Sequence, residues 1–123
     1  MSNRNRVAGH NFERQCINIL KSIGYTDAAS SRSSNRNRDA LKIDIVNKDE
    51  IVNGRLPWAI QCKNVVNHLK YAKVIAEMPK EPNVTRVVFH NQTEKVGERF
   101  ITRDQFAILY LDDFIEIMKK LKQ

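Results

Sequence analysis

The sequence predicts an α/β chain of the α+β kind, with a central mixed β-sheet flanked by helices. Three observations predict it. Apolar residues recur at helical spacing near both ends and again in the middle of the chain. Between those segments lie short runs rich in Ile, Val and Phe, the composition of strands. The resulting order is a helix, several strands, a helix, two strands and a last helix, which suits a sheet with helices packed on it. With 123 residues, 41% of them hydrophobic, the chain is expected to form one domain over 1–123.

The first helix is expected over 6–23. Phe12, Cys16, Ile19, Leu20 and Ile23 define its apolar face, and Gly24 supplies the stop. Glu13 and Arg14 lie beside that stripe. Residues 25–30 suit a short strand. The run Ser30 to Asp39 has no apolar residue apart from its ends' neighbours, so it is expected to be a loop, solvated or ligand-bound, outside any core.

A strand is expected over 41–47 and another from Leu56 to Asn64, antiparallel neighbours if the Asn53-Gly54 turn signal closes a hairpin. Residues 66–78 read as a helix capped by Asn64 or Asn67 and ended at Met78-Pro79. Its Tyr71, Ala72, Ile75 and Met78, with Leu69, either pack on the sheet or leave a dimer seam. Strands follow over Thr85–His90, Arg99–Thr102 and Phe106–Leu111, with a loop at Gly97. Asp112-Asp113 then caps a last amphipathic helix, with Phe114, Ile117, Met118 and Leu121 on one face and Lys119, Lys120 and Lys122 in its final turns.

The net charge of +7 and a pI near 9.7 suit a polyanionic partner such as nucleic acid. The densest basic cluster is Arg32, Arg36 and Arg38, with Arg4 and Arg6 upstream. No apolar run is long enough for a transmembrane helix, and no signal-peptide core follows the basic start. The expected location is therefore cytoplasmic, in a prokaryotic cell or a phage-infected host. Cys16 and Cys62 lack the number and spacing of a disulfide framework or zinc site, and read as reduced core residues.

The residues that carry chemistry interrupt the two central strands. Gln61 and Lys63 are two apart, so on a strand they share a face at roughly 7 Å along it, with Cys62 on the opposite face. If Asp44 lies across the hairpin, its carboxylate, an amide and an ammonium meet at one rim. A hard cation such as Mg²⁺ would take oxygen from Asp44, the Gln61 side chain and the Cys62 carbonyl. Lys63 is then placed to stabilise a pentavalent phosphate or to orient the attacking water. Glu13 is the natural second carboxylate. His68 and His90 are alternative general bases.

Taken in this order, a helix glutamate, then Asp44, then Gln61-Cys62-Lys63, the pattern resembles the PD-(D/E)xK nuclease superfamily. More narrowly it is similar to the archaeal-type Holliday-junction resolvases. The segment Gly9-His10-Asn11-Phe12-Glu13-Arg14 resembles that family's first helix, Ser31-Arg32-Ser33-Ser34 its DNA-contacting loop, and Gly97-Glu98-Arg99-Phe100 a later segment. The resemblance implies a restriction-endonuclease-like core and a homodimer cutting four-way DNA junctions with Mg²⁺, for which Mn²⁺ would substitute. Catalysis would fall to Glu13, Asp44, Gln61 and Lys63, metal binding to Glu13, Asp44, Gln61 and Cys62, and DNA contact to Arg32, Ser33, Ser34, Arg36 and Arg38. Which of Ser31, Ser33 or Ser34 takes the family's loop role stays open.

Two positions depart from the family. Ile43 stands where a proline usually precedes the aspartate, and Gln61 replaces an acidic residue. The Gln-x-Lys form resembles Mrr-type nucleases, so an Mrr-like restriction or repair enzyme is one alternative. A non-catalytic DNA-binding module with a decayed site is another.

Overall fold

A computed structural model describes residues 3–123, with side chains from residue 6 onward; the side chain of Arg4 lies outside the described residues. The chain begins with α1 (Asn3–Ser22) and β1 (Ala28–Ser30), then two short helical segments, α2 (Ser31–Ser34) and α3 (Arg36–Ala40). β2 (Ile45–Asn47), α4 (Glu50–Asn53) and β3 (Trp58–Val65) follow. α5 (Tyr71–Ala76) crosses to β4 (Thr85–Val96), which turns into β5 (Arg99–Ile108) and α6 (Leu111–Lys122).

The described residues thus form an α+β fold around a five-stranded mixed sheet with strand order β1-β2-β3-β4-β5. Only β3 and β4 are parallel, and the helical crossover between them supplies the length that parallel pairing needs. β2 and β3 are antiparallel, as expected, but their Cα register contains one pair, Ile45 with Ile60. The two strands part immediately beyond it.

Helices cover both faces of the sheet. On one, Phe12, Cys16, Ile17 and Leu20 of α1 pack on Ile45, Ile60 and Val87. On the other, Val74 and Ile75 of α5, with Met78, pack on Val46, Ala59 and Val88. Ile75 and Met78 of the expected helix face are therefore core, while Ala72 stays exposed and Leu69 and Tyr71 half-buried. The end of α1 is fixed by Gly24, whose φ of 115° is costly for other residues. The Trp58 indole donates to the Tyr25 hydroxyl at 2.9 Å, tying that turn to β3.

Several sequence expectations are corrected. Of the apolar face expected for the first helix, Ile19 and Ile23 are exposed, the latter just past the end of α1, while Ile17 and Glu13 are buried. The rotation is small, yet it brings an acid inward. The polar run 30–39 is helical and enters the interior: Ser31 and Arg38 are buried. Local capping makes this possible, because the Asn35 side chain accepts from the Arg38 N–H and its own N–H donates to Ser31 O.

The 41–47 strand is shortened to Ile45–Asn47, since Lys42 adopts a left-handed φ of 67° and its neighbours turn back on Arg38 and Asp39. Asn53-Gly54 ends the short α4 instead of forming a two-residue hairpin. The 66–78 helix contracts to Tyr71–Ala76 with Lys70, neither Asn64 nor Asn67, at its N-cap. The two expected late strands are one, β5, paired with β4 through a tight turn at Gly97. Tyr110 is the N-cap of α6, and Asp112 and Asp113 occupy its first turn.

Candidate functional site

The site forms where β2 and β3 separate. Asp44 stands one residue before β2. Its backbone N–H donates to Ile60 O at 2.8 Å, and its carboxylate Oδ2 accepts the Cys62 N–H at 2.8 Å. The side chain thereby continues the ladder that β2 no longer provides. A strand residue directs its N–H and C=O to the same edge, so the Cys62 carbonyl opens toward this same fork.

Burial is the main cause raising the Asp44 carboxyl from its ordinary 3.8 to about 6. The Cys62 N–H opposes that rise, Glu13 adds to it by like-charge repulsion, and Lys63 opposes it as a neighbouring cation. Glu13 and Lys63 are thus both within electrostatic reach of Asp44. Glu13 is itself buried, and its Oε1 accepts from Arg32 Nη2 at 2.9 Å. This pair joins α1 to α2 across nineteen residues of sequence.

Cys16 and Cys62 are free thiols hydrogen-bonded to each other. Cys62 is pushed well above the usual thiol range by its hydrogen bond to Cys16, by burial, and by Asp44 and Glu13. Both are reduced core residues, and Cys62 packs on the α1 face. Strand alternation sends Gln61 and Lys63 to the α5 face. Gln61 is buried, and its Oε1 has no hydrogen-bond partner among the described residues. Asp44 is thus tied to the Cys62 N–H by a hydrogen bond and to Glu13 and Lys63 by charge, and Glu13 to Arg32 by an ion pair, while the Gln61 oxygen is bonded to none of them.

Among the described residues, no three His, Cys, Asp or Glu side chains gather as a metal-binding cluster. Two carboxylates are nevertheless a suitable donor set for Mg²⁺, which commonly takes one or two carboxylates and completes its shell with water and substrate phosphate. The unpartnered Gln61 oxygen is a further neutral donor in the same stretch of β3.

The basic segment divides in two. Arg32, Ser33, Ser34 and Arg36 are exposed. Arg38 is not available to a ligand: it is buried and clamps Glu81 through Nη1 at 2.6 Å and Nη2 at 3.2 Å, with Glu50 at 3.6 Å from its Nε. Arg55 closes the network on Glu81 at 2.7 Å. Sequence reasoning missed this network because its members are up to 43 residues apart, and alternating charge on loops carries no pairing signal.

His90 also leaves the list of candidate bases. It is fully buried, with Nδ1 on the Tyr71 hydroxyl at 2.9 Å and Nε2 on Val65 O at 3.2 Å. Beyond Lys63, an amide chain that sequence did not suggest runs from Asn64 through Asn91 to Gln105 and Gln15. It marks the floor of a groove between α1 and the ends of β3, β4 and β5. Comparison with family models, with curated proteins and with solved structures finds no match for this chain.

Proposed function

We propose that the chain is a metal-dependent endodeoxyribonuclease of the PD-(D/E)xK kind that resolves four-way DNA junctions. The observation that carries this reading is the approach of Glu13, from α1, to Asp44 at the β2–β3 fork, with Lys63 close enough to act on the same carboxylate. The reading takes α1, the forked β2–β3 pair and the α5 crossover to β4 as a restriction-endonuclease-like core.

Glu13, Asp44 and the Cys62 carbonyl would hold Mg²⁺, or Mn²⁺ in its place, with Gln61 as an added oxygen donor. The cation would supply Lewis acidity toward a phosphodiester and lower the pKa of water. Lys63 stabilises the charge that grows on the phosphate. Arg32 neutralises Glu13 and, half exposed, presents its guanidinium where the DNA backbone would pass. Arg36, Ser33 and Ser34 extend that surface. Contacts of this type position a backbone without reading bases, which suits selection by DNA shape. Two equivalent strands are cut at a junction, so two copies of the chain would act together.

The test is cleavage of a four-way junction against a matched linear duplex, with Mg²⁺ and with Mn²⁺. Preferential junction nicking that is lost in Asp44→Asn supports the proposal. Equal cleavage of both substrates favours the Mrr-like alternative. Tight junction binding without cleavage under either metal favours a non-catalytic module, for which the neutral Gln61 is the supporting feature.

A further inference from the structure

The groove between α1 and the ends of β3, β4 and β5 holds about 350 Å³, within the range of small-ligand pockets. No ionisable side chain lines it, although 21 of the 123 residues are Lys or Arg. A β-bulge keeps it neutral. Gln92 pairs with Asp104 but Thr93 with Thr102, so Arg103 is the extra residue. An unbroken register would set Arg103 opposite Thr93, on the groove side. The bulge sets Thr102 there instead, and strand alternation brings Phe100 to the same face.

The polar groups that remain are amides and a hydroxyl, organised around Asn91, which is 6% exposed. Its Nδ2 donates to Asn64 Oδ1 at 2.6 Å and to Thr102 Oγ1 at 3.3 Å, and its Oδ1 accepts from Gln105 Nε2 at 2.9 Å. Gln105 Nε2 also donates to Gln15 Oε1 at 3.3 Å. Each outer amide uses one end on this chain and keeps the other. Among the described residues, Asn64 Nδ2 and Gln15 Nε2 meet no acceptor and Gln105 Oε1 meets no donor. Two rings complete the lining, Phe12 from α1 and Phe100, 51% exposed, from β5. Uncharged donors and acceptors beside aromatic rings match a nucleobase, which is flat, neutral and carries both kinds of group on its edge. A bare phosphate would find no cation in this lining, and an aliphatic chain would leave the amides unpaired. Position selects the source of the base. Phe12 precedes Glu13 and Asn64 follows Lys63, so on both elements the groove begins one residue from the proposed cleavage site.

We infer that this groove takes one unstacked nucleobase of the DNA strand that the site would cut. The base stacks on Phe100, and its edge meets the open ends of Asn64, Gln15 and Gln105. Lys95 Nζ stands over the Phe100 ring, 6.0 Å from its centroid, so the base takes the ring's other face and a cation lies beside that nucleotide's own phosphate. Stacking accepts any base, so the groove captures a base without reading sequence. The inference deepens the nuclease reading and rests on it for the choice of strand, while base capture itself is measured without cleavage.

Fluorescence anisotropy on the full chain tests it, at fixed salt and without divalent metal. The probes are a short labelled single strand of DNA and the same strand made abasic throughout, which carries the same phosphates. The wild type is expected to bind the base-bearing strand at least about fivefold tighter. Phe100→Ala should bring that ratio toward one. So should Ala8→Trp, which fills the groove from an exposed position on α1 and removes no polar group. Equal binding of the two strands by the wild type overturns base capture. A preference that both variants keep in full places the bases elsewhere and overturns the groove. Deoxyadenosine monophosphate that binds as tightly as the strand assigns the groove to a free nucleotide and overturns the DNA source. Cleavage is read separately: a junction left intact under Mg²⁺ and Mn²⁺ while the base preference stands removes the nuclease reading and keeps base capture, and cleavage without that preference does the reverse.

Discussion

The N-terminal half of the molecule and its last two elements handle polarity in opposite ways. Around α1, α2 and β3, charged and amide groups go inside: Glu13, Arg38 and Gln61 are each less than one-tenth exposed. In β5 and α6, large apolar groups stay outside, with Phe100, Ile101, Phe114 and Leu121 all near or above half exposure. Burying a charge costs several kcal/mol unless partners compensate, and leaving Phe or Leu in water forfeits about 1.5–3 kcal/mol each. Both departures run against folding alone. The proposed nuclease chemistry would account for the polar interior.

Chemistry is where the contrast can be broken most sharply. Lys63→Ala is expected to lower junction cleavage by about 10²–10³-fold while junction binding, measured by gel shift, persists; undiminished nicking would remove the charged half's catalytic meaning. Arg38→Ala should destabilise the fold by about 3–5 kcal/mol in urea titrations, since it leaves Glu81 and Glu50 to share the exposed Arg55. If the loss is under about 1 kcal/mol, the network is no deeper than an ordinary surface pair.

Asp44→Asn should act in the other direction on stability. The folded carboxyl is raised from 3.8 to about 6, so the unfolded chain ionises first and stability falls as pH rises between those values. Metal-free Asp44→Asn is therefore expected to be more stable than wild type by about 1–3 kcal/mol above pH 6, with the gap closing below about pH 4. Thermal melts across that range decide it, and a pH-independent difference would refute the buried-acid account. The smallest effect is expected at the far end: Leu121→Asp should shift monomer stability by no more than about 0.5 kcal/mol, where a core leucine would show several.

The sequence made the periodic elements legible. Phe12, Cys16 and Leu20 announced α1, and the apolar runs around Ile45, Ile60 and Val87 announced the sheet, because burial on one face imposes a repeat. Asp44 and Lys63 stood out because each interrupts an apolar strand, whereas Glu13, beside the apolar stripe of α1, joined them only as the second carboxylate a metal would need and through the resemblance. What the sequence hid depended on capping and distant pairing. Asn35 turns a wholly polar run into two helical segments, and Glu81 draws Arg38 inward from 43 residues away. Neither leaves a periodic trace. The burial of Glu13 was a matter of helix rotation, and periodicity fixes an apolar face only to within a residue or so, as the exposed Ile19 and buried Ile17 show.

The carboxylate of Asp44 has a second consequence through its bond to the Cys62 N–H. β2 and β3 share one register pair, too little by itself to forbid slippage. A shift by one residue would aim Asp44 at an amide pointing the other way, so the acid fastens the alignment like a bolt through two rails. Any copy of the chain in which that acid is correctly seated has already threaded its central strands in the right order, and quality of folding and readiness of the site become a single event.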